Sequence, residues 1–118
     1  MIYTTYYANL RNIPKGISVY AISNGIPTGL TLPHFWQAVP SWNSVQQYKK
    51  TGDWERFKAR YLQLLETRGY SAWAELINSG RDIVLVCYEK DPAQCHRSVL
   101  SEWLNNHYGL SVKEWGCA

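Results

Sequence analysis

A chain of 118 residues, 46% hydrophobic and 18% charged, is long enough for one core, too short for two ordinary domains, and too apolar to remain disordered. The longest aliphatic run is Ile83 to Val86, far below the roughly 18 to 20 residues of a membrane span. No basic stretch followed by an apolar run marks the N-terminus as a secretory signal, so the expectation is a single cytoplasmic domain over 1–118 with no membrane partner. The net charge of +3 favours anionic ligands without the strong basic footprint of a protein built to grip a polyanion. Cys87, Cys95 and Cys117 are an odd number of cysteines, and reduced thiols are expected rather than a disulfide framework.

In chain order, the aromatic and β-branched run Ile2 to Tyr7 predicts a first strand, ended by Asn9 and the Pro14-Lys15-Gly16 turn. Ile17 to Ser23 predicts a second. The segment from Ala8 to Gly16 is short for a helical crossover, which leaves either a hairpin or one tight helical turn between them. Residues 26–40 carry Pro27, Gly29, Pro33 and Pro40 and should be irregular; with His34, Phe35 and Trp36 they are the expected cover of a site. Ser41 offers an N-cap to a helix with Trp42, Val45 and Tyr48 at helical spacing, ending near Thr51-Gly52. Asp53 caps the next, whose Trp54, Phe57, Tyr61, Leu64 and Leu65 share a face up to Gly69. A third helix carries Trp73, Leu76 and Ile77 and closes at Asn78-Ser79-Gly80.

Ile83 to Cys87 is apolar on both faces, which predicts a central strand. Pro92 breaks the ladder, a helix follows from about Cys95 to His107 with Val99, Leu100, Trp103 and Leu104 inward, and Leu110 to Trp115 reads as a last strand. Strand, helix and strand at this spacing form a βαβ unit, so the class is α/β.

Chemistry concentrates between Cys87 and Ser98, where polar and reactive side chains lie between the end of a buried strand and the start of a helix. Ligands of open α/β sheets bind at the carboxyl ends of strands, and a helix N-terminus offers free N–H groups to phosphate or carboxylate. In this reading Arg97 grips the anion bidentately, while Glu89 or Asp91 exchanges protons. Cys95 or Cys87 is a nucleophile or a wall of the site, and His96 orients it or takes its proton. Tyr88 and Ser98 complete the binding set from this segment, and Asn9, Ser23 and Asn24 approach from neighbouring strand ends. Walker, GxGxxG, GxSxG and CxxC patterns are absent, and no cofactor is expected.

The run Ile83 to Leu104 resembles the C-terminal signature of domain of unknown function family 488 (DUF488), found in bacteria, archaea and phages. That signature has a strand ending in Cys, an acidic residue two places on, and Cys-His-Arg opening the next helix; Cys87, Glu89, Cys95, His96 and Arg97 match in turn. Ile2 to Asn9 is similar to the family's first strand, and the likeness to a short, compact branch spans most of the chain. The resemblance implies a Rossmann-like three-layer domain, with a small, mostly parallel sheet flanked by helices. Larger members end the second strand in Asp-Val-Arg, whereas this chain has Ala21-Ile-Ser-Asn-Gly25, so no role of that arginine transfers.

Three functional readings follow. The first is an enzyme or binding domain for a phosphate-bearing small molecule or nucleic acid end. The second is a non-catalytic nucleic-acid module using Lys49, Lys50, Arg56 and Arg60, interleaved with Tyr48, Trp54, Phe57 and Tyr61, although Trp54, Phe57 and Tyr61 fall on the helix's apolar face, which favours a place in the core. The third is a metalloprotein with Cys87, Cys95 and His96 as ligands, although their spacing is not that of a zinc knuckle.

Overall fold

A computed structural model describes residues 1–91 and 95–115. Pro92, expected to turn the chain, and Cys117 lie outside the described residues. The architecture is α/β: strands β1 (Ile2–Tyr6), β2 (Ser18–Ala21), β3 (Ile83–Cys87) and β4 (Lys113–Glu114), with helices α1 (Trp42–Thr51), α2 (Trp54–Arg68), α3 (Ser71–Asn78) and α4 (His96–Tyr108). The sheet order is β2-β3-β1-β4 and every pairing is parallel.

The central place of β3 follows from its composition. All five of its residues are buried, and it takes β1 on one side, with Thr4 opposite Leu85, and β2 on the other, with Tyr20 opposite Leu85. Because β3 lies between β1 and β2, these two strands form no hairpin. A short 3-10 helix over Tyr7–Asn12, about two turns long, lies in the crossover instead. Period-two alternation divides β3 between two faces: Ile83, Leu85 and Cys87 join Leu65, Trp73, Leu100 and Leu104 in the main cluster, while Val84 and Val86 are buried outside that cluster. The last strand is shorter than Leu110 to Trp115. The Val112 N–H donates to Asn105 Oδ1 at 2.8 Å, which holds the chain off the ladder until Lys113.

His34, Phe35 and Trp36 of the proline-rich segment do not close over a site; among the segment's described residues it is Pro40 that reaches the carboxyl edge of the sheet, where its carbonyl accepts from Asn24 Nδ2. Residues 33–35 flank the outer edge of β2, where Ala21 donates to the Pro33 carbonyl (2.8 Å) and receives the Phe35 N–H (3.0 Å). Phe35 packs edge-on against Trp73, and Arg68 and Tyr61 of α2 donate to the Val39 and Ala38 carbonyls. Pinned at these points, the segment protects a sheet edge.

What lies over the carboxyl edge is α1. Its start is set by Ser41, whose Oγ accepts the Ser44 N–H at 3.2 Å, and its end by Gly52 in the left-handed conformation at φ 70°. Ser41→Ala should lower stability by about 1 kcal/mol, read as a shift in urea midpoint with unchanged slope; an unchanged midpoint would show that the cap does not hold α1. No helix among the described residues is long and apolar enough to cross a membrane.

Candidate functional site

The ends of β2 and β3 lie side by side, because the Ile22 N–H donates to the Val86 carbonyl (2.9 Å) and extends the pairing past Ala21. Beyond that point the strands stop and a cavity of about 380 Å³ opens. One wall is polar: Ser23 and Asn24 follow β2, Tyr88 and Glu89 follow β3, and Cys95 and His96 begin α4. The other is aromatic and comes from the first two helices: Trp42, Tyr48, Trp54 and Phe57, with Lys49 beside them.

In the sequence, Tyr48, Trp54 and Phe57 suit either a buried helix face or a stacking surface among basic residues, and nothing there places them beside Cys95. Phe57 and Tyr61 are indeed buried, as an apolar helix face requires. Yet Tyr48, Trp54 and Phe57 pack ring against ring at 5.3 to 5.5 Å and present themselves to the same cavity as His96. Trp42 is 58% exposed, and Lys49 Nζ lies 5.9 Å from its ring centroid. The two regions singled out in the sequence, at Lys49 and at Cys95, are therefore opposite walls of one space. Arg56 and Arg60 face a separate small hollow.

His96 is buried, and its Nε2 lies 2.6 Å from the Ile22 carbonyl. A carbonyl can only accept, so Nε2 carries the hydrogen and Nδ1 keeps its lone pair, 3.8 Å from Cys95 Sγ. Burial pushes the His96 pKa down to about 4; the hydrogen bond to Ile22 opposes this, and the nearby Arg97 charge adds to it. At neutral pH the ring is an uncharged acceptor directed at a sulfur.

Arg97 does not line the cavity. It is completely buried, and its Nε donates to both oxygens of Glu114 at 2.9 and 3.1 Å, with Nη2 on Oε2 at 3.0 Å. Nη1 reaches Cys87 Sγ (3.2 Å) and the Glu89 carbonyl, and Nη2 the Lys90 carbonyl (2.9 Å). The bidentate grip expected on a ligand is made on an internal carboxylate. What the guanidinium does is hold the turn after β3, and with it Glu89, in place.

Cys87 is buried behind Cys95, and the two sulfurs are joined as a disulfide, which corrects the expectation of reduced thiols for this pair. The cause is topological: a strand end and the following helix start stack so that two apolar side chains meet. Cys87, Cys95 and His96 together offer three metal-ligating atoms within 4.8 Å of one another.

The other expected residues fall in different places. Ser23 Oγ contacts the Tyr7 hydroxyl (2.5 Å) and donates to the Gly25 carbonyl (2.6 Å), and Asn24 Nδ2 donates to the Pro40 carbonyl (3.0 Å), so both shape the rim. Burial raises the Tyr7 pKa, and its ring packs edge-on against Tyr88. Asn9 is turned toward Thr5 and the Trp115 carbonyl, away from the cavity. Ser98 donates to the Cys95 carbonyl (2.9 Å), which leaves it a helix-start residue outside the cavity wall. Asp91 is exposed and likewise not part of that wall. Tyr7, Trp42 and Glu114 were missed as contributors, since nothing local in the sequence links them to Cys95 or Arg97.

A protein-family model described as the active DUF488-N3 subclade, DUF488-N3a, matches residues 10–108. The chain belongs to this subclade. No curated protein and no solved structure gives a significant match. The DUF488-N3a match takes in both walls of the cavity and all of Cys87, Glu89, Cys95, His96 and Arg97, whereas Glu114, which neutralises the arginine, lies beyond it.

Proposed function

We propose that this chain binds and processes a phosphate-bearing ligand with a planar base, a nucleotide or a nucleic-acid end, in the cavity between α1 and the carboxyl edge of the sheet. The observation that supports this reading is the pairing of an aromatic wall with a polar one across a space of about 380 Å³, within the usual range for small-molecule sites. Trp42, Tyr48 and Trp54 would stack on the base. Lys49 and the first amides of α4 would take the phosphate, in place of Arg97. Glu89 would exchange protons, and Cys95 would be a wall of the site while bonded to Cys87 and, beside His96, a nucleophile once that disulfide is reduced. The family description's word "active" suits a member that keeps these groups.

Tryptophan fluorescence titration with mononucleotides, in low salt, tests the reading. Base stacking contributes about 1–3 kcal/mol per base, so Trp42→Ala should weaken binding about 5- to 150-fold. Trp42 is mostly exposed and the fold should survive its loss. Failure of every mononucleotide to bind the wild type would overturn the proposal. Binding confined to oligonucleotides, steeply salt-dependent and indifferent to Glu89→Gln, would instead favour a non-catalytic nucleic-acid module using Lys49, Lys50, Arg56 and Arg60.

A further inference from the structure

Cys87, Cys95 and His96 have an arrangement that their cavity-lining neighbours do not explain. The Cα atoms of the two cysteines are 7.6 Å apart, beyond the roughly 4.4–6.8 Å at which disulfides normally sit. The backbone thus holds the sulfurs converging from a wider base than a disulfide uses. The third atom, His96 Nδ1, lies 3.8 Å from Cys95 Sγ. Two donors bonded tetrahedrally to one zinc ion, at about 2.3 Å for sulfur and about 2.0 Å for nitrogen, lie roughly 3.5 Å apart. The Cys95–His96 separation is close to this, and the two sulfurs, now bonded to each other, would part to about 3.8 Å on one ion once reduced.

The surroundings also suit a metal. A ligating imidazole commonly donates its other N–H to a carbonyl or carboxylate, which fixes the tautomer and turns the lone pair toward the ion. His96 makes that contact with the Ile22 carbonyl. Arg97 Nη1 donates to Cys87 Sγ, a contact that favours a thiolate over a thiol, and Glu114 balances the guanidinium charge. Two thiolates balance a divalent cation, so the buried group would be neutral. Cys95 and His96 both face the cavity, while Cys87 lies behind them.

We propose that the reduced protein binds one borderline-soft divalent ion of the zinc class through Cys87 Sγ, Cys95 Sγ and His96 Nδ1, with the fourth position open to the cavity. The disulfide is the oxidised, metal-free form of the same site. A phosphine reduces it to two thiols, taking oxygen from one water and leaving as the phosphine oxide. The metal then displaces the two thiol protons. Such a centre would offer the cavity a Lewis acid beside Glu89.

The test needs no nucleotide, so it stands apart from the reading of the cavity. Tag-free protein, reduced with a phosphine under nitrogen and desalted, is titrated with cobalt(II) alone. The expected result is a thiolate-to-cobalt charge-transfer band saturating at one equivalent and bleached by zinc, absent in Cys87→Ser and Cys95→Ser and kept in Cys117→Ser. Independently of any variant, zinc should protect two of the three thiols of the wild type from alkylation, and a chelator should restore their reactivity. Three thiols alkylated equally with and without zinc, together with no charge-transfer band, would overturn the proposal even if nucleotides bind.

Discussion

Replacing Arg97 with methionine should lower the stability of the fold by about 3–5 kcal/mol, the range for breaking a buried ion pair by removing one partner. The guanidinium is fully buried and Glu114 is only 15% exposed, so solvent screens the pair little. Its loss strands the Glu114 carboxylate, which among the described residues keeps the hydrogen bond from Thr4 Oγ1 at 2.7 Å. It also removes donors from the Glu89 and Lys90 carbonyls, each at a further cost. Glu114→Gln should fall in the same direction by a smaller amount, since the amide oxygen still accepts one N–H. The double variant Arg97→Met with Glu114→Leu should recover much of the loss, because an apolar pair need not be desolvated against its charge. Urea unfolding of the three variants measures all of this; a loss under about 1 kcal/mol for Arg97→Met would show that the pair is solvated after all.

Acid should weaken the protein over a defined window. In the disulfide form, which holds no metal, the pKa of His96 is about 4 when folded, against an ordinary 6.5 once the chain unfolds. Above pH 6.5 both states hold the ring neutral and the full stability is present. As pH falls from 6.5 to 4, the unfolded chain takes up a proton that the folded one refuses, so stability declines, and it levels off below 4 as the folded ring also charges. The total is about 3 kcal/mol. The groups that face the ring are the Ile22 carbonyl, the Cys95 sulfur, the Tyr61 ring and the nearby Arg97 charge, and none of them supplies an anion to stabilise an imidazolium. Unfolding free energy measured against pH for wild type and His96→Gln isolates the effect from the carboxylates. Parallel curves between pH 6.5 and 4 would mean that His96 is not the group responsible.

Much of this molecule is decided locally. Four adjacent aliphatic residues between the polar Arg81-Asp82 and the Lys90-Asp91-Pro92 break are too short a run for a buried helix and suit a strand buried on both faces, so the sequence points to β3 as central and to its carboxyl end as the place for a site. Ser41 and Asp53 start helices because their side-chain oxygens accept an N–H three residues on, a contact that needs no tertiary partner. The order of Cys87, Glu89, Cys95 and His96 along one turn brings them close together for the same reason, since few residues separate a strand end from a helix start.

Tertiary structure decided what those residues face. Arg97 could have gripped a ligand; it holds Glu114 because β4 is delivered beside β1, a pairing between residues more than a hundred positions apart. Trp42, Tyr48 and Trp54 show helical spacing, which specifies that a helix has an apolar face but not that α1 lies over the carboxyl edge of the sheet. The proline-rich segment has the composition of a lid, yet a free edge of β2 and the donors of α2 pin residues 33–39 elsewhere and leave Pro40 at the rim of the cavity. In each case the side chain's chemistry is set by its type, while its partner is set by which distant segment the packing of the core brings within the few ångströms over which hydrogen bonds and van der Waals contacts act.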